Sequence, residues 1–213
     1  MLILIAILVG LSVLIISGSR SPFLAAVLSL LLYFYLSFRQ RPRFSRVVML
    51  ILILLFGYLL AEFLSRYFSL KFFSRLEAVF SIGSGSGSGG ESLSITSRMT
   101  SFRGGIEQFY SAPILGDSII EKNTNFYPHN IMIESLMSTG LIGTFFLCVT
   151  MIYAFSCAVT ICRNNTPHLW TVLLFVQLLI FHQFSGALWS AAALFGVMSA
   201  IVSIGNSVKM QLR

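Results

Sequence analysis

LIGTFFLCVTMIYAFSCAVTIC, residues 141–162, carries no charged side chain. A bilayer core about 30 Å thick needs roughly 20 helical residues, and this run supplies them. Lipid offers no partners to backbone N–H and C=O groups, so each such run is read as a helix. Further apolar stretches occupy residues 1–18, 22–38, 47–61, 169–184 and 187–205. The stretch at 47–61 reaches spanning length with Glu62 and Phe63 at the interface, and Ser185-Gly186 divides the last two. The first stretch lacks a basic leading segment, and Ser17-Gly18-Ser19 is a poor cleavage site, so it reads as a span and not as a signal peptide. Composition agrees: 56% of the chain is hydrophobic and 10% charged, against about 25% charged in a soluble domain. The mean hydropathy is +0.89. The expected fold class is an all-α integral membrane protein with about six transmembrane helices.

The net charge of +7 would suggest nucleic acid in a soluble protein, but its placement says otherwise. Arg39, Arg41, Arg43 and Arg46 share one short loop, Arg163 lies in another, and Lys209 and Arg213 end the chain. All the acidic residues fall between Glu62 and Glu134. The basic excess is therefore a topology signal that marks the short loops as cytoplasmic. Three regions follow: residues 1–64 with three spans, a large outer loop at 65–138, and residues 139–213 with three more spans and a short cytoplasmic tail. Arg20 then faces the outer side. No nucleic-acid partner is expected; membrane lipids are. Cys148, Cys157 and Cys162 show no metal or disulfide spacing and read as small apolar packers.

The outer loop has four parts. Residues 66–80 place Phe68, Phe72, Leu76, Val79 and Phe80 at helical spacing among Arg66, Lys71 and Arg75, the pattern of a helix lying on a membrane surface. Residues 81–90, SIGSGSGSGG, read as a flexible tract; no Gly-Lys-Ser/Thr follows, so a phosphate loop is rejected. Residues 96–111 read as a helix weakened at Gly104-Gly105, with Arg98, Phe102, Ile106 and Phe109/Tyr110 near one face and Pro113 ending it. Residues 126–140 begin another helix with Asn130 as N-cap, because Pro128 biases Tyr127 away from helical geometry. His129 then precedes a helix N-terminus, whose positive end favours neutral imidazole.

Several chemistries lack their residues. With a single aspartate, Asp117, there is no Asp-x-Asp pair for a divalent cation, and no zinc or nucleophile-elbow motif occurs. The spans carry no buried acids for an ion-coupled transporter. What remains is arginine and histidine on the outer side. Arginine forks bind phosphate oxygens bidentately at any working pH. A neutral histidine beside them suits transfer from a diphosphate leaving group, taking the acceptor proton while the arginines hold the developing charge. The candidates are His129 with Arg20, Arg98 and, more weakly, Arg103, and no metal or cofactor is called for.

Three motifs in order carry a resemblance: Ser17–Leu24 with Arg20 opening a span, Arg98 through Pro113-Ile114-Leu115-Gly116, and Tyr127-Pro128-His129-Asn130 through Glu134 followed by Gly140-Leu141-Ile142-Gly143. The chain resembles the C-terminal half of the bacterial O-antigen ligase and O-antigen polymerase family over roughly residues 10–160. Departures are Gly116-Asp117-Ser118, where the family often has Gly-x-Gly, and Phe102, where Trp is common. The resemblance implies a GT-C-like, metal-independent, inverting glycosyltransferase at the periplasmic face of the bacterial inner membrane. Its donor would be a glycan on undecaprenyl diphosphate, and its acceptor lipid A–core, another lipid-linked glycan or a protein. Carried over by position, His129 is the base and Arg20 and Arg98 the diphosphate pair, supported by Tyr127, Asn130, Glu134, Pro113 and Gly116. Family members are longer, so the expectation includes a fragment, inactive if missing helices are needed to enclose the donor. Rival readings are a non-catalytic remnant of a split gene and a lipid-linked glycan transporter with His182 and Gln183 lining a cavity.

Overall fold

The computed structural model describes residues 20–40, 89–164 and 167–211, with a few isolated positions before residue 64. The expected surface helix at 66–80 and the tract at 81–88 lie outside the described residues, as do most of the first and third apolar stretches. The described residues are helical: α1 is Arg20–Gln40, α2 Gly89–Ser111, α3 Ile131–Arg163, α4 Leu169–Phe184 and α5 Ala192–Gln211. The chain divides into two compact units, Met1–Leu93 and Ser94–Arg213.

In the first unit, α1 carries Pro22 in its opening turn, where a missing N–H costs nothing. Ala25, Ser29 and Phe34 are buried, while Leu24, Leu28, Leu31 and Tyr35 are exposed.

The second unit is built on α3, α4 and α5. Leu147, Met151, Ala154, Cys157, Ala158 and Ile161 of α3 pack with Val172 and Phe175 of α4 and Leu194, Met198 and Ile201 of α5. The small residues Ala154, Cys157 and Ala158 let backbones approach closely, and Gly205 of α5 lies against Cys157, where a Cβ would collide. Tyr153 donates its hydroxyl to Asn206 Oδ1 at 2.9 Å across the same pair of helices. The outer face of α3 exposes Phe145, Phe146, Val149, Ile152, Phe155 and Val159. So large a contiguous apolar surface belongs in lipid. α3 and α5 are each long and apolar enough to cross a bilayer, and α4 is a shorter apolar helix. The chain is an α-helical membrane protein.

The 33 residues of α3 are two helices joined at a kink, where Gly140 adopts φ 63°, ψ −161°. Residues 131–139 form a short helix before the kink. The spanning portion is residues 141–163, about the length a bilayer needs. The Pro113–Asp117 turn docks against this kink. Leu141 N–H donates to Pro113 O at 2.8 Å, Ile142 N–H to Ile114 O at 3.3 Å, and Asp117 N–H to Met137 O at 2.9 Å. Gly116, at φ 74°, and Gly140 face each other there; a Cβ on Gly116 would strike the Ser138 backbone and one on Gly140 the Ile114 carbonyl.

Two expectations change. α2 begins at Gly89, inside the tract read as flexible, because glycine weakens a helix interior far more than its first turn. Its Gly104-Gly105 pair is a contact and not a weak point. A Cβ on Gly104 would collide with Glu121, and one on Gly105 would press on Ile133 and Pro128. The buried face of α2 is therefore Ser101, Gly104, Gly105 and Gln108, while Arg98, Ile106 and Tyr110 are exposed.

Replacing Gly140 with Ala forces a Cβ into a backbone region reserved for glycine and into the Ile114 carbonyl. The expected loss is about 2 kcal/mol or more by unfolding in detergent. Gly196→Ala, with open space around it, should leave stability unchanged or slightly raised.

Candidate functional site

The loop from Ala112 to Asn130 is held from inside by polar side chains. Gln108 donates Nε2–H to Ser118 O at 3.2 Å and accepts Lys122 N–H at 3.2 Å. Glu121, 1% exposed, accepts the amides of Asn123 and Thr124 at 2.6 and 2.7 Å and the Thr124 hydroxyl. Burial opposes ionisation of Glu121, but the Thr124 hydroxyl and the two amides outweigh it, so its carboxyl sits below the ordinary range. Lys122 pairs with Asp117. These contacts fix the Glu121–Phe126 bridge, from which Phe126 and Tyr127 lead to His129.

His129 has φ 58°. Histidine enters this left-handed region more readily than most residues, but a surrounding structure has to hold it there. Tyr127 lies against the imidazole with ring centroids 4.3 Å apart, and Trp189 meets the Tyr127 ring edge-on at 6.2 Å. Next in sequence, Asn130 is the N-cap as expected: its Oδ1 accepts the amides of Met132 and Ile133 at 3.0 and 3.1 Å.

The centre of the site is the end of α4. A helix leaves its last carbonyls without intrahelical partners, and here three consecutive ones are taken by loop side chains. Asn130 Nδ2–H donates to Gln183 O at 3.1 Å, Arg98 Nη1–H to Phe184 O at 3.2 Å, and His129 Nδ1 lies 3.4 Å from Ser185 O. A carbonyl only accepts, so Nδ1 carries the proton and Nε2 keeps its lone pair. Burial pushes the His129 pKa below its ordinary value and the Arg98 guanidinium pushes it further, while the bond to Ser185 pulls the other way. The expected direction holds, but the sequence argument named the helix end as its cause, whereas burial and Arg98 are what act.

Glu134, one turn into α3 and before the kink, is fully buried. Its Oε2 accepts the Leu188 amide at 2.6 Å. Its Oε1 has no hydrogen-bond partner among the described residues. Burial raises its pKa to about 7, opposed by the amides of Leu188, His129 and Asn130. Leu188 belongs to a short 3-10 turn, Leu188–Ser190, which delays the start of α5 to Ala192. The apolar run at 187–205 is thus not helical from its first residue.

The structure therefore brings His129, Arg98, Asn130, Tyr127 and Glu134 together. Pro113 and Gly116 act one step away, in the turn on the Gly140 kink. Arg103 is exposed on α2, about 140° around the helix from Arg98, and joins no contact with His129. Arg20 is the first residue of α1 in the other unit, and its role rests on sequence. His182 is 3% exposed and donates Nδ1–H to Leu178 O at 2.9 Å; Nε2 has no partner among the described residues. Sequence reasoning missed the 183–190 turn as the anchor of the site. The signal was the Ser185-Gly186 break, read only as a divider between spans.

Such an arrangement defines a helical membrane protein with a histidine–arginine site on a loop outside its spans. The sequence profile of the O-antigen ligase family matches residues 5–148, well over half of the chain, and the protein belongs to that family. The matched stretch contains Arg20, Arg98 and His129 but not the turn that receives the latter two. No curated protein and no solved structure matched the chain.

Asn130→Ala removes a cap and exposes Gln183 O, and should lower stability by about 1–2 kcal/mol in unfolding measurements. Asn130→Asp keeps the cap but sets a carboxylate against Gln183 O. It should therefore be less stable than wild type in the same assay, which would not follow if capping were the only role of Asn130.

Proposed function

We propose that this protein is a glycosyltransferase of bacterial surface polysaccharide synthesis, with His129 as general base. It moves a glycan from undecaprenyl diphosphate to an acceptor hydroxyl, in the ligase form on lipid A–core. The observation that carries this reading is the contact of His129 Nδ1 with Ser185 O at 3.4 Å: a carbonyl only accepts, so the proton belongs on Nδ1 and Nε2 is left to take another. The acceptor oxygen gives its proton to Nε2 and attacks the anomeric carbon. The glycosyl–oxygen bond to the diphosphate breaks with inversion. Arg98, close enough for its charge to act on His129, neutralises the departing diphosphate; Arg20 is assigned the same role from the sequence alone. Arginines supply the charge stabilisation that a divalent cation would otherwise bring, so the step as written needs no metal and no cofactor.

About six spans of a GT-C-like fold hold the enzyme in the inner membrane, with three spans in residues 1–64, the loop at 65–138 in the periplasm, and three spans in residues 139–213. The family's description as O-antigen ligase favours the ligase over a polymerase that extends a second lipid-linked glycan. Exposed Trp189 beside Tyr127 offers an aromatic surface for a sugar ring.

In membranes of a ligase-deficient strain, His129→Ala should cut transfer by about a hundredfold or more, scored as glycan-bearing lipid A–core. Arg98→Lys should also impair transfer, because the lysine keeps charge but not the fork. Unchanged glycan with His129→Ala would sink the base assignment. The pH dependence has a definite sign. The base works deprotonated, so activity falls as pH falls through its pKa. Since that pKa lies below the ordinary 6.5, the acid limb of kcat/KM should have its midpoint under pH 6.5. A midpoint at or above 6.5 counts against the site as described.

A further inference from the structure

We infer that Glu134 is a positioning residue, which locks the 185–188 turn in place so that His129 keeps its Nδ1–H tautomer. The proposal rests on His129 being the base, but its central contacts are independent of that role. Glu134 stands five residues after His129 in sequence, at the start of the helix that Asn130 caps, and its carboxyl reaches across to the 188–190 turn. Oε2 receives the Leu188 amide at 2.6 Å. The amides of His129 and Asn130 lie close enough to stabilise the same carboxyl. One side chain therefore links the strained His129 backbone to the turn whose Ser185 carbonyl receives the His129 ring.

The turn needs such a tie. Ser185, Gly186 and Ala187 leave α4 without continuing it, and Ala187 is extended at φ −121°, ψ 152°. Within the turn, the Ser190 hydroxyl donates to Ala187 O at 3.0 Å, which orders Ala187–Ser190 but does not anchor that segment to α3. The Glu134–Leu188 bond does. Gly186 packs over the His182 ring, where a Cβ would collide, so the turn is held from its α4 side too. The Ser185 and Gly186 amides stay bonded to Phe181 O at 2.9 and 3.2 Å, so losing the Leu188 tie loosens the turn on its α3 side, and the His129 bond to Ser185 O, already long at 3.4 Å, is the contact that lengthens. The imidazole would then redistribute its proton between Nδ1 and Nε2, and the Nε2–H form cannot accept a proton from the acceptor.

Charge on Glu134 is not what the geometry uses. An acceptor oxygen at Oε2 is. Glu134→Gln keeps that oxygen and should hold activity within about threefold of wild type. Glu134→Leu removes it and should lower kcat at least tenfold while KM for the lipid-linked donor changes less than twofold. Leu188→Pro gives a second route that leaves Glu134 untouched. It deletes the amide donor at the first position of the 3-10 turn, where proline is tolerated, after an alanine already in the extended region proline prefers.

The direct readout is the nitrogen chemical shift of His129 in the full chain labelled with 15N-histidine and reconstituted in lipid nanodiscs. His129, His168 and His182 are the only histidines, and single replacements assign them. Wild type and Glu134→Gln should show a protonated Nδ1 and bare Nε2. Glu134→Leu and Leu188→Pro should both show a mixture. Wild-type shifts in a folded Leu188→Pro protein, or a kcat for both variants near wild type, would overturn the positioning role. If His129→Ala keeps full activity while the tautomer still responds to Glu134→Leu, the glycosyltransferase reading fails and the positioning of His129 stands.

Discussion

The last carbonyls of α4 impose a requirement that the whole candidate site answers. A helix end packed against other chain cannot leave the Gln183, Phe184 and Ser185 oxygens bare without the cost of desolvated acceptors. Residues 53 to 86 positions earlier in the chain reach them: Asn130, Arg98 and His129 each satisfy one. The same contacts that cap α4 therefore decide where the candidate base and the candidate phosphate ligand stand. Stability and geometry are one set of bonds here. A loop that served only to cap would not need histidine at a strained φ of 58°, since any donor would do.

That arrangement depends on how the loop meets the spanning helix. Gly140 breaks α3 so that residues 131–139 can point their N-terminus at the site while residues 141–163 cross the lipid. The Pro113–Asp117 turn fills the break with three backbone bonds. Gly116 and Gly140 are needed there because a Cβ on Gly116 would strike the Ser138–Thr139 backbone and one on Gly140 the backbone of Ile114 and Gly116. Further in, Glu121 packs against Gly104 and organises the segment leading to Tyr127. A chain of close contacts thus runs from α2 through the loop to His129, with glycine wherever two backbones or a carboxylate come nearest.

Much of this could be read from the residues. The span at 141–162 declares itself by length and absence of charge, and Asn130 declares itself as a cap by position after Pro128. His129 and Arg98 stood out because polar, chemistry-bearing groups are scarce in so apolar a chain. Other features were not legible. Gly104-Gly105 looks like a helix breaker in one dimension and becomes a packing surface only when Glu121 is folded against it. The 187–191 run is as apolar as a span, yet the bond from Leu188 to Glu134 keeps it out of α5. Both failures have one cause: the deciding partner is far away in sequence, and periodicity reports only local preference.

The electrostatics of the site point toward an anion. Arg98 carries a fixed positive charge, His129 is held neutral, and the one acid among them, Glu134, sits buried with its carboxyl pushed up to about 7. A positive charge beside a neutral base disfavours a second positive charge, which is why the imidazole resists protonation while the site is empty. In the proposed reaction, a diphosphate arriving at Arg98 would reverse that effect. Its negative charge offsets the guanidinium and makes an imidazolium easier to form. In the proposed reaction, base strength would then rise when the donor is in place, and the proton lost by the acceptor would end on a histidine flanked by the leaving anion. The bond from Nδ1–H to Ser185 works in the same direction, because an imidazolium donates to that carbonyl more strongly than neutral imidazole does. Neutral when empty and basic when loaded is what a single histidine needs if it is to serve as the base without a second carboxylate beside its ring.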